Sequence, residues 1–286
     1  MKGITFLPGF ITGLLTLGMT LPATAQVTSD GTTNTTVNTN GNNFNILNGI
    51  QKGNNLFHSF KEFSIPTNGE ATFSNSTDVV NIINRVTGGK ISNIDGLIKA
   101  NGNANLFLIN PSGIVFGENA RLDIGGSFLG STAESILFED GFEFSAVNAQ
   151  SEPLLTVSVP LGLQMGTNPG DIIVQGNGHG LNTINTVSAL GTRDTTSGLR
   201  VNAGNTLALI GGNLALNGGI VSADGGHIIL GAVASKNSNP VQINLNNEDT
   251  SWNPDYSQVE EFKNINLTKR AVIDASGLSS GSIQIQ

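Results

Sequence analysis

An all-β solenoid is the fold class that the sequence predicts, a parallel β-helix rather than a helical bundle or a sandwich. Three observations carry it: glycine is abundant, charge is scarce, and residues 202–233 keep a seven-residue beat. The 286 residues include 37 glycines and only 12% charged residues, about half the ~25% of ordinary globular domains. Helical surfaces need that charge, so helices should be few and turns frequent. A hydrophobic share of 38% still supplies a continuous core.

The beat can be read directly. Glycine recurs at Gly204, Gly211, Gly218 and Gly225, with Gly212, Gly219 and Gly226 beside the last three. Leu207, Leu214, Val221 and Ile228 form one apolar series, and Leu209, Leu216, Ala223 and Leu230 another. Coiled-coil heptads are the competing reading of a strict seven. Glycine would cost such a helix about 1 kcal/mol per residue relative to alanine, and the i, i+2 spacing within each unit is strand alternation. Each unit is therefore one turn and one short strand. Three units close a triangular coil of 21 residues, which puts Ile228 above Leu207 and Leu230 above Leu209. Further short strands are expected at 171–175, 271–274 and 282–285. Asparagine suits such coils because it tolerates left-handed turns and stacks its amide from coil to coil.

Residues 132–156, with clustered acids and Pro153, break the rhythm, as do residues 236–264, with Trp252, Pro254 and Tyr256. Both are expected as excursions from the solenoid, with a helical turn after Asp255. The coils should run from about residue 38 to residue 286, with less regular cap strands before Lys61. Strand pattern continues to Gln286, so a chain cut short at its C-terminus is expected, because a solenoid needs a terminal cap.

The N-terminus reads as a signal peptide: Met1-Lys2, an apolar run over residues 4–21, then Pro22 and the small-residue site Ala23-Thr24-Ala25. A transmembrane anchor is the competing reading, but Pro22 and the A-x-A site favour removal after entry into the Sec machinery. Without a second apolar run of that length, the mature chain is expected to have no transmembrane span. A net charge of −8 and no basic run longer than Lys269-Arg270 argue against nucleic acid. The absence of cysteine removes disulfides and thiolate chemistry. His58, His179 and His227 share no ligand spacing, so no metal and no cofactor is expected, and His58 should pack within a cap strand.

Gly277-Leu278-Ser279-Ser280-Gly281 matches a nucleophile-elbow pattern, but too little chain follows it to supply the helix and histidine that such a site needs. The enzymatic alternative is a secreted β-helix polysaccharide lyase or hydrolase. It would require Asp123, Asp171, Asp224 and Asp274, with Arg193, Arg200 and Arg270, to converge on one groove. Glycosidase chemistry places two carboxyl groups ~5–10 Å apart, whereas these residues are dispersed singly. No enzyme is expected.

Residues 43–133 carry Asn55-Leu56-Phe57-His58-Ser59-Phe60, Asn84-Arg85-Val86-Thr87-Gly88-Gly89, Ile94-Asp95-Gly96-Leu97 and Asn105-Leu106-Phe107-Leu108-Ile109-Asn110-Pro111-Ser112-Gly113-Ile114. In that order they resemble the secretion domain of two-partner secretion exoproteins, the filamentous haemagglutinin family. Ser112 stands where the family commonly has the second asparagine of Asn-Pro-Asn-Gly-Ile. The separate Asn-Pro-Asn-Leu motif is not found, which places the chain nearer the adhesin-like branch. The 199–233 repeat and Val272-Ile273-Asp274-Ala275-Ser276-Gly277 look like cyanobacterial members.

The resemblance implies a right-handed β-helix with an N-terminal cap. It also implies recognition by an outer-membrane β-barrel transporter with periplasmic POTRA modules, then secretion or display at the cell surface, with an adhesion-type role for the full-length protein. The corresponding division is a signal peptide over 1–25, a secretion domain with its cap over 26–165, and continuing coils over 166–286. Asn110, Pro111, Ser112, Gly113 and Ile114 would form the secretion motif. Asn84, Arg85, Val86, Thr87 and Gly88 form a second family element. By residue type, Asn110 to Gly113 also fits a type I turn between two strands. On that basis Asn110→Ala should cost one turn bond of about 1 kcal/mol, be tolerated by the folded protein and reduce export.

Overall fold

The seven-residue beat closes into coils. Leu207 pairs with Ile228 and Leu209 with Leu230 in parallel register, as the coil count requires. The same column runs the length of the molecule through Leu56, Ile82, Leu106, Phe128, Leu207, Ile228 and Ile283. The computed structural model describes residues 26–149, 155–179, 197–234, 241–248 and 251–286. The expected signal peptide over 1–25 lies outside the described residues, as do Pro153 and Arg193.

Three faces of parallel strands enclose the solenoid core. The first contains Asn55–Phe63, Asn81–Val86, Asn105–Ile109, Phe128–Ser131, Thr206–Gly211, His227–Ala234 and Ser282–Ile285. The second stacks Ser92–Ile94, Ile114–Phe116, Ile172–Gln175, Leu214–Asn217 and Ile265–Thr268. The third is built from Asn43–Asn48, Glu70–Phe73, Leu97–Ala100 and Arg121–Asp123, then Leu199–Val201, Ile220–Ala223 and Val272–Asp274. Short strands with small corner residues permit this, because many of the corners lie against the backbone of the coil beside them. A Cβ on Gly226, for example, would sit 2.1 Å from the Asn205 carbonyl oxygen.

The expected amide ladder is present. Asn81 Nδ2 donates to Asn55 Oδ1 at 2.9 Å, and Asn105 Nδ2 donates to Asn81 Oδ1 at 3.0 Å. Asn105 Oδ1 then accepts from the Ser127 N–H at 2.9 Å. Successive members of this column are 26, 24 and 22 residues apart. Unequal coils explain why no constant period shows in the N-terminal half.

The cap is antiparallel. Val27–Ser29 and Ile50–Lys52 pair with opposite ends of Asn55–Phe63, and Thr35–Asn40 forms a hairpin with Asn43–Asn48. Parallel pairing begins where Asn43–Asn48 meets Glu70–Phe73.

The two rhythm breaks are not separate excursions. Ser135–Phe138, Glu143–Ser145, Pro160–Met165, Val241–Glu248 and Ser251–Asp255 make one antiparallel sheet, joined where Gly162 pairs with Asn244 and Met165 with Val241. This outer sheet covers the first face and builds a second apolar core with Phe57, Ile83, Phe107, Leu129, Ile136 and Leu163. The first face is therefore buried on both sides, which is why Leu106-Phe107-Leu108-Ile109 is continuously apolar rather than alternating. Leu106 and Leu108 point into the solenoid, while Phe107 and Ile109 face the outer sheet.

The helical turn expected after Asp255 is not formed. Asp255 Oδ1 accepts from the Ser257 N–H at 2.8 Å and Tyr256 O from the Val259 N–H at 2.9 Å, a single reversal before Glu261–Phe262 pairs with His227–Ala234. Once that strand is engaged, no residues remain to continue a helix. Among the described residues, no helix is long and apolar enough to cross a membrane.

Candidate functional site

Asn110, Pro111, Ser112 and Gly113 form the reversal between Asn105–Ile109 on the first face and Ile114–Phe116 on the second. The Gly113 N–H donates to Asn110 O at 3.0 Å, closing a β-turn, and the Ser112 N–H donates to Asn110 Oδ1 at 3.0 Å. Gly113 has φ +123°, a conformation that glycine adopts without strain. Its carbonyl accepts from the Ser92 N–H of the preceding coil at 3.1 Å, and Pro111 O accepts from the Gly170 N–H of the following one at 3.1 Å. Ile114 is fully buried between Ser92 and Ile172.

Asn110 does more than a turn residue. It is fully buried, and its Nδ2 donates to Lys90 O and to Ser92 Oγ, both at 2.9 Å. Its backbone N–H donates to Ser131 O at 2.9 Å. The side chain thus binds the preceding coil and the backbone binds the next. The expectation of a single lost bond and an undisturbed fold for Asn110→Ala is corrected accordingly, since truncation strands several buried polar groups at once.

Asn84, Arg85 and Val86 lie in the fully buried strand Asn81–Val86. Asn84 Nδ2 donates to Phe107 O at 2.8 Å, whereas its Oδ1 has no protein donor. Val86 packs into the solenoid core. Gly88 lies so close to the preceding coil that a Cβ there would be 2.0 Å from Lys61 O. Because Asn84 pairs with Leu108 and Arg85 with Ile109, the two motifs occupy adjacent coils. The reversal after Gly88 is bonded to the Asn110 turn through Lys90 and Ser92.

Arg85 is 2% exposed and reaches toward the outer sheet. Its Nε donates to Ser59 Oγ at 2.8 Å, and the Ser59 hydroxyl donates to Asp30 Oδ2 at 2.6 Å. A parallel path runs from Nη2 to Thr32 Oγ1 at 2.9 Å and from that hydroxyl to Asp30 Oδ1 at 2.7 Å. Nη1 donates to Ser145 O at 2.6 Å, and the guanidinium lies 4.3 Å from the centre of the Phe144 ring. Thr87 Oγ1 also donates to Asp30 Oδ2, at 2.8 Å. Burial lowers the Arg85 pKa, and the Asp30 charge opposes that shift. For Asp30, burial acts to raise the pKa, but hydrogen bonds from Ser59, Thr32 and Thr87 outweigh it and hold the carboxyl below its usual range.

Sequence reasoning found Arg85 and Thr87 but missed Asp30, Thr32, Ser59 and Ser145 as their partners. One signal was present: a lone arginine in an otherwise apolar strand demands buried counter-groups. Nothing local identified them.

His58 is likewise inside the cap. Its Nδ1 shares a 2.9 Å hydrogen bond with Thr35 Oγ1, and its ring packs against Phe60 and Phe73.

The acids considered for glycoside chemistry are held separately. Asp123 pairs with Lys99 at 3.2 Å and Asp224 with Arg200 at 3.0 Å. Asp171 accepts from the Asn213 backbone and side chain, and Asp274 from Ser276. A groove of about 540 Å³ lies beside Ile65, Asp95, Glu118 and Gln175. Its Asp95 is occupied by the Thr67 hydroxyl and the backbone and side-chain amides of Asn119.

A family model described as the TPS (two-partner secretion) secretion domain matches residues 25–285. Among solved structures, the chain is similar to the HMW1 secretion domain from Haemophilus influenzae, at 21% identity and a TM-score of 0.47. That match covers 84% of this chain and 50% of the other, so this chain spans about half the length of that relative. No curated protein matches. The family is one of secretion domains rather than a catalytic one, and such domains belong to exported proteins that have an outer-membrane transporter as partner. With its model matching nearly the whole of the described coils, cap and outer sheet, the chain belongs to the two-partner secretion domain family.

Proposed function

We propose that this chain is the N-terminal secretion domain of an exoprotein, recognised by an outer-membrane β-barrel transporter through periplasmic POTRA modules. On this reading residues 1–25 direct Sec export. Residues 26–165 carry the recognised cap and turns, and residues 166–286 continue the coils of a right-handed helix. The full-length protein then works at the cell surface or after release, in adhesion. The observation that best supports this is the stacking of the two motifs on adjacent coils. Asn110 connects them, so one surface region presents both turns in a register set by buried hydrogen bonds.

Asn110→Ala tests it. Loss of the bonds to Lys90 O, Ser92 Oγ and the Ser112 N–H is expected to lower stability by about 2–4 kcal/mol and to reduce secretion through a cognate transporter at least tenfold. Leu216→Ala, in the fully buried solenoid core, is the matched control at a similar cost of about 2–5 kcal/mol. Secretion lost with Asn110→Ala but retained by the control, at similar urea midpoints, supports recognition of the turn. Equal loss in both reduces Asn110 to a stabilising residue.

A further inference from the structure

Asp30 belongs to none of the sequence motifs, yet both of its oxygens are committed to the Arg85 site. The site draws on four distant parts of the chain: Asp30 and Thr32 from the N-terminal segment, Ser59 from the first long strand, Arg85 and Thr87 from the next coil, and Phe144 with Ser145 from the outer sheet. No Asp30–Arg85 ion pair is direct. Ser59 and Thr32 each accept from the guanidinium and donate to the carboxylate, so two hydroxyls relay the pairing.

We infer that Asp30 is the positioning residue of a closing lock, in which the segment 27–33 and the strand Glu143–Ser145 must both dock on Arg85 before the first coils become stable. The physical reason is asymmetric. A guanidinium with all its partners is tolerated in the interior, but one lacking either set is a buried charge without compensation, and the surrounding strands open to admit water. Neither half suffices. Without residues 27–33 the carboxylate is missing and this edge of Asn55–Phe63 is unpaired, since Val27 pairs with Phe63 and the Asp30 N–H donates to Ser59 O at 3.3 Å. Without Glu143–Ser145, Nη1 has no acceptor and the guanidinium loses the Phe144 ring.

Its significance for export rests on the proposed secretion function. A chain in transit that has not assembled both ends of the lock keeps its early coils open, which is the state a transporter can thread. Residues 206–211 and 227–234 form coils remote from the lock and serve as an internal reference.

Hydrogen exchange of the purified chain tests the lock without any transporter, so its failure and failure of the secretion reading are distinguishable. Asp30→Asn keeps the size and removes the charge. Exchange is expected to accelerate at least tenfold, and together, in 27–33, 59–64, 84–88 and 143–146, with the reference coils unchanged. Thr32→Val breaks one relay and should give the same pattern at smaller amplitude, which preserves the test if Asp30→Asn does not fold. In an Arg85→Met background, adding Asp30→Asn should accelerate these segments by less than twofold further. Acceleration confined to 27–33, a uniform increase throughout the chain, or independent effects of the two substitutions would overturn the lock.

Discussion

Arg85→Met is expected to lower the stability of the folded domain by about 3–5 kcal/mol, the range found when one member of a buried charged set is removed. Methionine approximates the length of the side chain but donates nothing. Ser145 O, Ser59 Oγ and Thr32 Oγ1 lose their guanidinium donors, and Asp30 is left with hydroxyl and amide donors but no countercharge. Phe144 also loses the cation over its ring. At a urea dependence of about 1–3 kcal/mol per molar, the unfolding midpoint should fall by at least about 1 M. Arg85→Lys should recover little, because one ammonium cannot reach three acceptors with the geometry of a planar fork. A midpoint within about 0.2 M of the parent would contradict the account of the buried network.

Mild acid is the second large effect. His58 is 1% exposed, and burial among Phe60, Phe73 and the cap backbone lowers its pKa from 6.5 to about 3. The folded protein therefore holds His58 neutral where the unfolded chain protonates it. Stability is fully present above pH 6.5 and is lost as pH falls toward 3, at up to ~1.4 kcal/mol per pH unit. Between pH 6.5 and pH 5 the expected loss is roughly 1.5–2 kcal/mol, before most carboxylates begin to titrate. His58→Gln keeps an amide able to bond to Thr35 and should flatten this part of the profile. Urea titrations at pH 7, 6 and 5 measure it, and an unchanged slope in the variant would assign the acid sensitivity to another group. The Asp30 shift has the usual carboxylate sign, adding stability that is present above its unfolded pKa and lost as pH falls through its lower folded value.

The two effects concern different interiors. His58 lies in the solenoid cap, beside the aromatic cluster of Phe60, Phe63 and Phe73. Arg85 faces the space between the first face and the outer sheet, where Phe144 and Ser145 reach it. The two sites share no hydrogen-bond partner among the contacts that define them, but they meet on one strand, where His58 adjoins the Arg85 partner Ser59.

Periodicity alone settled the solenoid, the 21-residue coil and the neighbours of Leu207 and Leu209, because equal repeats convert directly into parallel register. Residue type alone settled the Asn110–Gly113 reversal, since asparagine, proline and glycine each favour their positions in such a turn. Tertiary structure decided what these features could not express. The breaks at 132–156 and 236–264 read as two interruptions because the strand that joins them, Pro160–Met165, lies between the two, and its antiparallel pairing of Gly162 with Asn244 leaves no periodic trace. Asn110 read as a local turn residue because its bonds to Lys90 and Ser92 depend on how one coil overlies another. Asp30 could not be recognised at all. Its partners Ser59 and Thr87 lie 29 and 57 residues away, and Arg85 joins Ser145 across a further 60. Local preferences are set by a residue and its chain neighbours, whereas compensation of a buried charge is set by whatever the completed fold brings within hydrogen-bonding distance.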